Sequence, residues 1–346
     1  MKASCLQENL NRALTIVSRS VGGIIPETKN VQLTAKEDKL KLITTDYELT
    51  SICRIPASIQ EEGHVAVSAK TLKEFVDKLP TDVVKLGWEK QLSVQCGPHK
   101  LRIGGTENFV PIPKVEGVSV GVVDFNLLKE ALNKVVFAAS VSGNRPALSG
   151  IYMKFGNGLT LIGADGFMLA INELPVNSEE INIIVPASPL SDLIKLSGQD
   201  AKITIGKTAV VFSVDDTDLI IQVMNVEYPP YSQLISEGYS TKLELPRADF
   251  LRAVRTISTV NSNTLKLTIS DTISMFAGSD IGESECEVEG VITGDKLQVK
   301  LNLKYLIDVF GALDKDRAIM EFKGPTGSCR IRPSLGNYFY LMMPMV

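Results

Sequence analysis

A chain of 346 residues, 44% hydrophobic and 22% charged, is too long for one ordinary core and too apolar to stay disordered, so two or three folded domains are expected. No apolar run approaches the length of a membrane span and the N-terminus lacks a secretory apolar stretch, which together imply a cytoplasmic protein without a membrane partner. A formal charge of −4 argues against nucleic-acid binding through overall basicity, while leaving room for a local basic surface. The five scattered cysteines, Cys5, Cys53, Cys96, Cys286 and Cys329, form no Cys-x-x-Cys pair. They read as reduced core or strand residues, neither a disulfide frame nor a zinc site.

In chain order, the first element is a helix over 5–17, where Leu10, Ala13 and Leu14 mark one buried face. "VQLTAKEDKLKLITTD" then alternates as paired strands and closes at Asp46. A second helix over 69–79 carries Leu72-Lys73-Glu74-Phe75-Val76, and "VVKLGWEKQLSVQC" returns to strand, turn, strand. After the irregular stretch 114–122 the same series begins again. A helix over 125–137 presents Leu128, Ala131 and Leu132, and "IYMKFGNGLTLIGAD" turns at Asn157-Gly158 and closes at Asp165. A helix over 187–197 with Leu190, Asp192, Leu193 and Ile194 follows, and then "AKITIGKTAVVFSV". Past 235–244 comes a third round: a helix over 247–258 (Phe250, Ala253, Val254), "LKLTISDTISMFAGSD" closing at Asp280, a helix over 302–313 (Leu306, Asp308, Val309, Phe310), and "AIMEFKGPTGSCRIR".

The first helical signature recurs at spacings of 118 and 122 residues, the second at 118 and 116. Such self-similarity marks tandem structural units. The expected architecture is α+β, with three similar domains over 1–115, 121–238 and 243–346, each of two helices packed on about eight short antiparallel strands.

Catalytic signatures are missing. His64 and His99 sit in separate polar turns, and no phosphate loop, dinucleotide fingerprint, nucleophile elbow or His-Glu-x-x-His occurs. "VDDTD" (214–218) reads as a solvated turn between strands. Glu283, Glu285, Glu287 and Glu289 alternate with Ser284, Cys286 and Val288, which places the four carboxylates on one wet face of a strand. No enzyme activity, cofactor or metal is expected. Charge, by contrast, is sorted: the six helices hold eleven basic against seven acidic residues in a chain that is acidic overall. Repeated basic helices suit a polyanion contacted through its phosphates without reading bases. At the other extreme, "YFYLMMPMV" (338–346) ends the chain without a single charge.

Four segments in this order, "NRPALSG" (144–150), "GADGFMLA" (163–170), "NLKYLIDVFGAL" (302–313) and "YLMMPM" (340–345), resemble the bacterial β sliding clamp, the processivity subunit of the replicative DNA polymerase, DNA polymerase III. The resemblance spans the chain and is strongest from about residue 121 onward. It implies the DNA-clamp fold and a head-to-tail homodimeric ring around double-stranded DNA. It further implies a non-catalytic role in DNA replication and repair, tethering the polymerase, the clamp loader and repair proteins that dock through short peptide motifs. The implied peptide cleft comprises Leu148, Gly166, Phe167, Met168, Leu169, Pro229, Gln233, Leu234, Asn302, Tyr305, Leu341, Met342, Met343, Pro344 and Met345. Flexible thioethers suit such a surface, because they repack around different partners.

The DNA-facing residues implied are Arg12, Arg19, Lys73, Lys129, Lys134, Arg145, Lys195, Arg252, Arg255 and Lys304. At the subunit junction, edge strands are expected to pair, with Leu101 and Ile103 on one side and Thr259 and Val260 on the other. Three departures from the family pattern stand out. Phe167-Met168 replaces the common His-Arg, predicting a greasier cleft; Gly22-Gly23 leads into Ile24 where a basic residue is usual, with Arg19 as its substitute; and the tail ends at Val346 without a polar extension. Two other readings fit the same sequence: an enzyme with an unfamiliar inter-domain site, and a monomeric peptide-binding scaffold that encircles nothing.

Overall fold

The computed structural model describes every residue except Ile24, 142–144, Ser236 and Val346, so the features noted at Ile24, Asn144 and Val346 lie outside the described residues. The first repeat runs β1 (Lys2–Leu6), α1 (Gln7–Val17), β2 (Asn30–Lys36), β3 (Lys39–Thr45), β4 (Leu49–Pro56), β5 (Ser58–Glu61), β6 (Gly63–Ser68), α2 (Ala69–Val76), β7 (Val83–Trp88), β8 (Leu92–Cys96), β9 (His99–Ile103) and β10 (Gly105–Thr106). The second comprises β11 (Gly117–Asp124), α3 (Phe125–Asn133), β12 (Gly150–Phe155), β13 (Leu159–Ala164), β14 (Met168–Leu174), β15 (Ile181–Pro186), α4 (Ala187–Leu193), β16 (Asp200–Gly206), β17 (Ala209–Val214) and β18 (Thr217–Gln222). In the third are β19 (Thr241–Pro246), α5 (Arg247–Ile257), β20 (Thr264–Ile269), β21 (Ile273–Ser279), β22 (Gly282–Val288), β23 (Val291–Gly294), β24 (Leu297–Asn302), α6 (Leu303–Ala312), β25 (Arg317–Phe322), β26 (Cys329–Pro333) and β27 (Tyr338–Met342).

The α+β reading therefore holds, and all six expected helices form. Three stop short. Helix α2 ends at Val76, α3 at Asn133 and α4 at Leu193, each up to four residues before the apolar periodicity suggested. Local caps explain two of the starts: the Ser68 hydroxyl accepts from the Thr71 amide at 3.3 Å, and Asn302 Oδ1 accepts from the Tyr305 amide at 3.1 Å.

The chain condenses into two compact units that cut across the repeats: Met1–Asn126 with Ser188–Val223, and Leu127–Ala187 with Met224–Val346. In the first unit a five-stranded sheet has the order β5-β1-β7-β8-β9, and a nine-stranded sheet the order β10-β6-β2-β3-β4-β18-β17-β16-β11. Alternation along β2 and β3 sends Val31, Leu33, Ala35, Leu40 and Leu42 inward, where they meet Leu10, Ala13, Leu14 and Val17 of α1 and Leu72 and Val76 of α2. The second unit holds a nine-stranded sheet, β15-β12-β13-β14-β27-β26-β25-β19-β23, and a four-stranded one, β22-β21-β20-β24. There α5 lies on α6, with the Phe250 and Phe310 rings 4.4 Å apart.

Hydrogen bonding therefore runs through the repeat boundaries. At one seam β4 pairs with β18, from Cys53↔Thr217 to Leu49↔Ile221. The "VDDTD" turn is partly drawn into it, a correction to its reading as solvent-facing only. Arg54 bonds Asp218 at 2.7 Å, and the Arg54 amide donates to the Asp216 carbonyl at 2.9 Å. At the other seam β14 pairs with β27, Met168↔Met342 and Leu169↔Leu341 among the partners.

The turn register expected at Asp46, Asp165 and Asp280 holds for two of the three. Asp46 Oδ1 accepts from the Glu48 and Leu49 amides, and Asp165 Oδ1 from the Phe167 and Met168 amides. In the third repeat the Ser279 hydroxyl takes this place, accepting from the Ile281 amide, because β21 and β22 join through a tighter turn, Ser279↔Gly282. Three of the four expected glutamates share a face of β22: Glu283, Glu285 and Glu287 are exposed and alternate with half-buried Ser284, Cys286 and Val288, while Glu289 falls just past the end of the strand.

Candidate functional site

The β14–β27 seam carries an apolar patch. Leu169 and Ile171 on β14, Leu341 on β27, Ile162 and Ala164 on β13, and Leu148 form one buried cluster, walled by Tyr152, Tyr228, Tyr231 and Phe339. The Tyr152 and Tyr228 rings stack at 4.9 Å and 11°, and Tyr231 stands edge-on to both. Burial pushes the Tyr228 phenol well above its ordinary range. The same unit leaves apolar groups exposed: Phe167 at 66%, Leu234 at 53%, Met343 at 43% and Met345 at 36%. Pro229 and Gln233 are exposed beside Leu234, and Pro344 is half-buried.

The uncharged tail is held in place through its backbone. The Met343 amide donates to the Phe167 carbonyl at 2.9 Å, extending the β14–β27 ladder, and the Met345 amide donates to the Lys300 carbonyl at 2.9 Å. Gly166, with φ of +100°, lets the turn before Phe167 form where most residues would be strained. From α6, the Tyr305 hydroxyl reaches Asp165 Oδ2 at 2.5 Å. Burial first, and this hydrogen bond second, raise the Tyr305 pKa far above the usual phenol value.

The structure thus gathers the fifteen implied cleft residues into one unit but gives them different jobs. Leu148, Leu169 and Leu341 are floor; Phe167, Leu234, Met343 and Met345 are exposed walls; Asn302 and Tyr305 brace α6 against the Asp165 turn. Met168 and Met342 are buried cross-strand partners whose alternation with Leu169 and Leu341 points them to the opposite face of the sheet. They support the floor and do not line it. The tyrosine wall was missed, although "VEYPPYSQ" brings two rings together with two prolines and held the signal.

The basic residues divide likewise. Arg12, half-buried Arg19 and Lys195 come together around a groove of about 480 Å³ that Asn11, Thr15 and Ser197 also line. Arg19 donates to the Asp192 carbonyl at 3.3 Å. Arg252 and Arg255 share a second groove, of about 730 Å³, with Arg247, Thr256 and Thr259. Arg247 is structural there, since its Nε caps α6 through the Phe310 carbonyl at 3.0 Å. Several cations face an acid on their own helix: Lys73–Asp77 at 2.6 Å, Lys195–Asp192 at 2.9 Å, Lys304–Asp308 at 3.2 Å, and Arg252–Asp249. Lys129 is half-buried on α3, and Arg145 is exposed with its guanidinium against Gly166.

Lys134 departs from the expectation of a DNA-facing residue. Its side chain is 12% exposed, bonds Asp314 Oδ2 at 2.8 Å and lies 4.2 Å from the Tyr338 ring centre. The Tyr338 hydroxyl donates to Asp314 Oδ1 at 2.6 Å. Burial alone would raise the Asp314 pKa, but the hydrogen bonds from Lys134 and Tyr338 outweigh it and hold the carboxyl below its usual value. The sequence missed this clasp because its three members lie far apart along the chain.

Leu101 and Ile103 lie on β9, a free edge of the five-stranded sheet, and their side chains pack toward the core. Thr259 and Val260 are in a 3-10 turn after α5 and not in a strand; the edge strand beside them is β22. No helix among the described residues is long and apolar enough to cross a membrane, and no group of three His, Cys, Asp or Glu side chains among them could hold a metal.

Fold and site together define a scaffold of tandem α+β repeats that carries an apolar patch at one strand seam and basic helix faces. Three domain families match it end to end: "DNA polymerase III beta subunit, N-terminal domain" over 1–108, "central domain" over 122–230 and "C-terminal domain" over 232–346. The chain belongs to the DNA polymerase III beta-subunit family, and the resemblance drawn from the sequence is borne out. Among its relatives, the beta sliding clamp of Synechocystis is 25% identical over 100% of this chain and 99% of its own. That of Staphylococcus aureus is 25% identical over 89% of each. The sliding clamp of Bacillus subtilis superposes with a TM-score of 0.95 at 22% identity, covering 100% of this chain and 99% of its own. For the beta subunit of Thermotoga maritima the score is 0.93 at 24% identity, with the same coverage.

Proposed function

We propose that two copies of this chain close head to tail into a sliding clamp that encircles duplex DNA and tethers polymerase, clamp loader and repair proteins through the apolar cleft. The domains are 1–115, 121–238 and 243–346, the protein works in the cytoplasm, and tethering requires no chemistry of its own. The observation that carries this reading is a strand count. Each internal seam makes a nine-stranded sheet, whereas the chain ends with one sheet of five strands and one of four. Joining the free edge β9 of one copy to the free edge β22 of the next makes nine again.

Faces and charges agree with that junction. Leu101 and Ile103 face the core on β9, and Ser284 and Cys286 do so on β22, opposite buried Ala277 and Met275. On the outer face, exposed Lys100 and Arg102 would then meet Glu283, Glu285 and Glu287. Thr259 and Val260 flank this pairing. The lining we assign to Arg12, Arg19, Lys195, Arg252 and Arg255, with Lys73, Lys129, Arg145 and Lys304 as weaker contributors, is only mildly positive, because many of its cations are already paired. A mild field lets the protein slide along phosphates without stalling.

Light scattering is expected to give a mass near twice 37.6 kDa, falling to the monomer when Leu101 and Ile103 are both replaced by Asp. Loaded protein should persist on closed circular DNA and leave when the circle is cut. Equal retention on both forms would refute encirclement and favour the scaffold reading.

A further inference from the structure

Each repeat makes the same passage from its second hairpin to its second helix, and the middle one makes it differently. In the first repeat this passage includes β5, which crosses to the other sheet and pairs antiparallel with β1. In the third it includes β23, which pairs antiparallel with β19 through Thr241↔Gly294 to Glu244↔Val291. Strands β1, β11 and β19 are equivalent, since each precedes the first helix of its repeat and pairs on its other side with the strand after the second helix, β7, β16 and β25. In the middle repeat residues 175–180 form no strand. They are held by a parallel bridge, Gly156↔Asn177, and by the Ser178 amide donating to the Gly156 carbonyl at 2.9 Å. Strand β11 thus ends the nine-stranded sheet of its unit, and among the described residues no strand pairs with its outer edge.

Apart from one bulge, that edge lacks the usual protection. From Gly117 to Val123 it carries no charge and no proline. Val122 is 66% exposed, Val118 37%, and Gly117, Ser119 and Gly121 are exposed as well. We infer that the outer edge of β11 is a docking site for an extended, uncharged peptide strand of a partner, added antiparallel in the place that β5 and β23 fill in the sister repeats. Both strands set the length of the occupant at about four residues, and β23, Val-Ile-Thr-Gly, sets its chemistry: uncharged, with a β-branched residue opposite Val122 as Val291 stands opposite Glu244. A bulge displaces Val120 between Ser119 and Gly121, so pairing centres on Gly121–Val122. This site lies in the first unit and the tyrosine-walled patch in the second.

The probe is the pentapeptide Gly-Val-Ile-Thr-Gly, the sequence of residues 290–294, with blocked termini and a fluorescent label, and the full-length protein is the receptor. Anisotropy should report saturable binding, on the order of millimolar for so short a strand. Hydrogen exchange should show new protection confined to 117–124. Val122→Glu, whose carboxylate can pair with the neighbouring Lys202, should keep the fold and weaken the peptide about tenfold, while Val122→Thr should bind as wild type. The same peptide with proline in place of isoleucine should not bind. No binding, or protection appearing at β15 or β23 instead, would overturn the proposal. So would protection of β11 in the free protein that rises with concentration and vanishes in Val122→Glu, because the edge would then be held by a second copy of the chain.

Discussion

Lys134 and Arg255 test whether position in the fold, and not charge, decides which cations meet DNA. Both were expected on the basic surface, but Lys134 is clasped by Asp314 and Tyr338 while Arg255 is exposed in an open groove. Replacing Lys134 with Met removes an ion pair intermediate between a surface pair, worth about 0–1 kcal/mol, and a buried one, whose breakage costs roughly 3–5 kcal/mol. Asp314 is 37% exposed and keeps its bond from Tyr338, so no stranded charge remains. The loss of the pair and of the cation–π contact should therefore cost about 1–2 kcal/mol, a melting shift of roughly 3–6 °C. Because the Asp314 pKa is lowered, this stability is present above the ordinary carboxyl value of 3.8 and is lost as pH falls through the still lower folded value. The difference between the two proteins should then narrow as the pH falls below that folded value. Arg255→Ala should leave melting unchanged and reduce the slope of log affinity against log salt by about 0.9 per lost phosphate contact. The assays are scanning calorimetry and DNA binding across a salt series. A Lys134→Met protein that melts normally and loses the same salt slope would refute this assignment.

The cleft yields a paired expectation: Phe167→Ala should leave melting unchanged and weaken a polymerase-derived docking peptide in calorimetric titration, whereas Met168→Ala, buried below the floor, should cost about 2 kcal/mol or more in stability. Tyr305→Phe should cost about 1 kcal/mol at neutral pH. Since the folded Tyr305 pKa is raised, the wild-type advantage should persist up to the ordinary phenol value of 10.0 and fade as pH rises toward the folded one, as melting curves in alkaline buffers would show. Of the five thiols only Cys286 is not buried, so a thiol reagent should label it in a monomeric Leu101→Asp/Ile103→Asp variant and spare it in the closed ring. Labelling at equal rates in both would count against β22 as the junction strand.

What was legible beforehand followed from periodicity. Leu10, Ala13 and Leu14 and their two echoes place a helix face without reference to any other element, and all are buried or half-buried as that spacing requires. Long-range pairing was another matter. Nothing local in "LTSICRIP" says that it will meet "TDLIIQ" from the next repeat, since either could have been an edge, yet the pairing buries most of both. The same gap accounts for the misassigned Lys134, whose partners arrive from the third repeat, and for Met168, whose side of the sheet depends on which strand β14 pairs with. Resemblance to a family supplied the cleft as a set of positions, but only the seam geometry separates floor, wall and support.

Sharing sheets between repeats has a consequence for assembly that does not depend on the family. A linear array of repeats joined by strand pairing always keeps two open edges, one at each end, and open edges invite uncontrolled pairing. An array escapes by closing on itself or by protecting its ends. Here the two terminal edges bear opposite charge, with Lys100 and Arg102 exposed on β9 and three glutamates on β22. Either edge meeting its own kind would set like charges side by side, whereas β9 meeting β22 sets opposite charges together and aligns the core faces. Like-with-like contacts, which would give a two-fold dimer with the same edge from each copy, are thereby disfavoured relative to head-to-tail ones. In the proposed ring, charge on the ends would select the direction of assembly, and the strand count the partner edge. β11, without charge from Gly117 to Val123, lies outside this scheme, and its sister strands are already occupied.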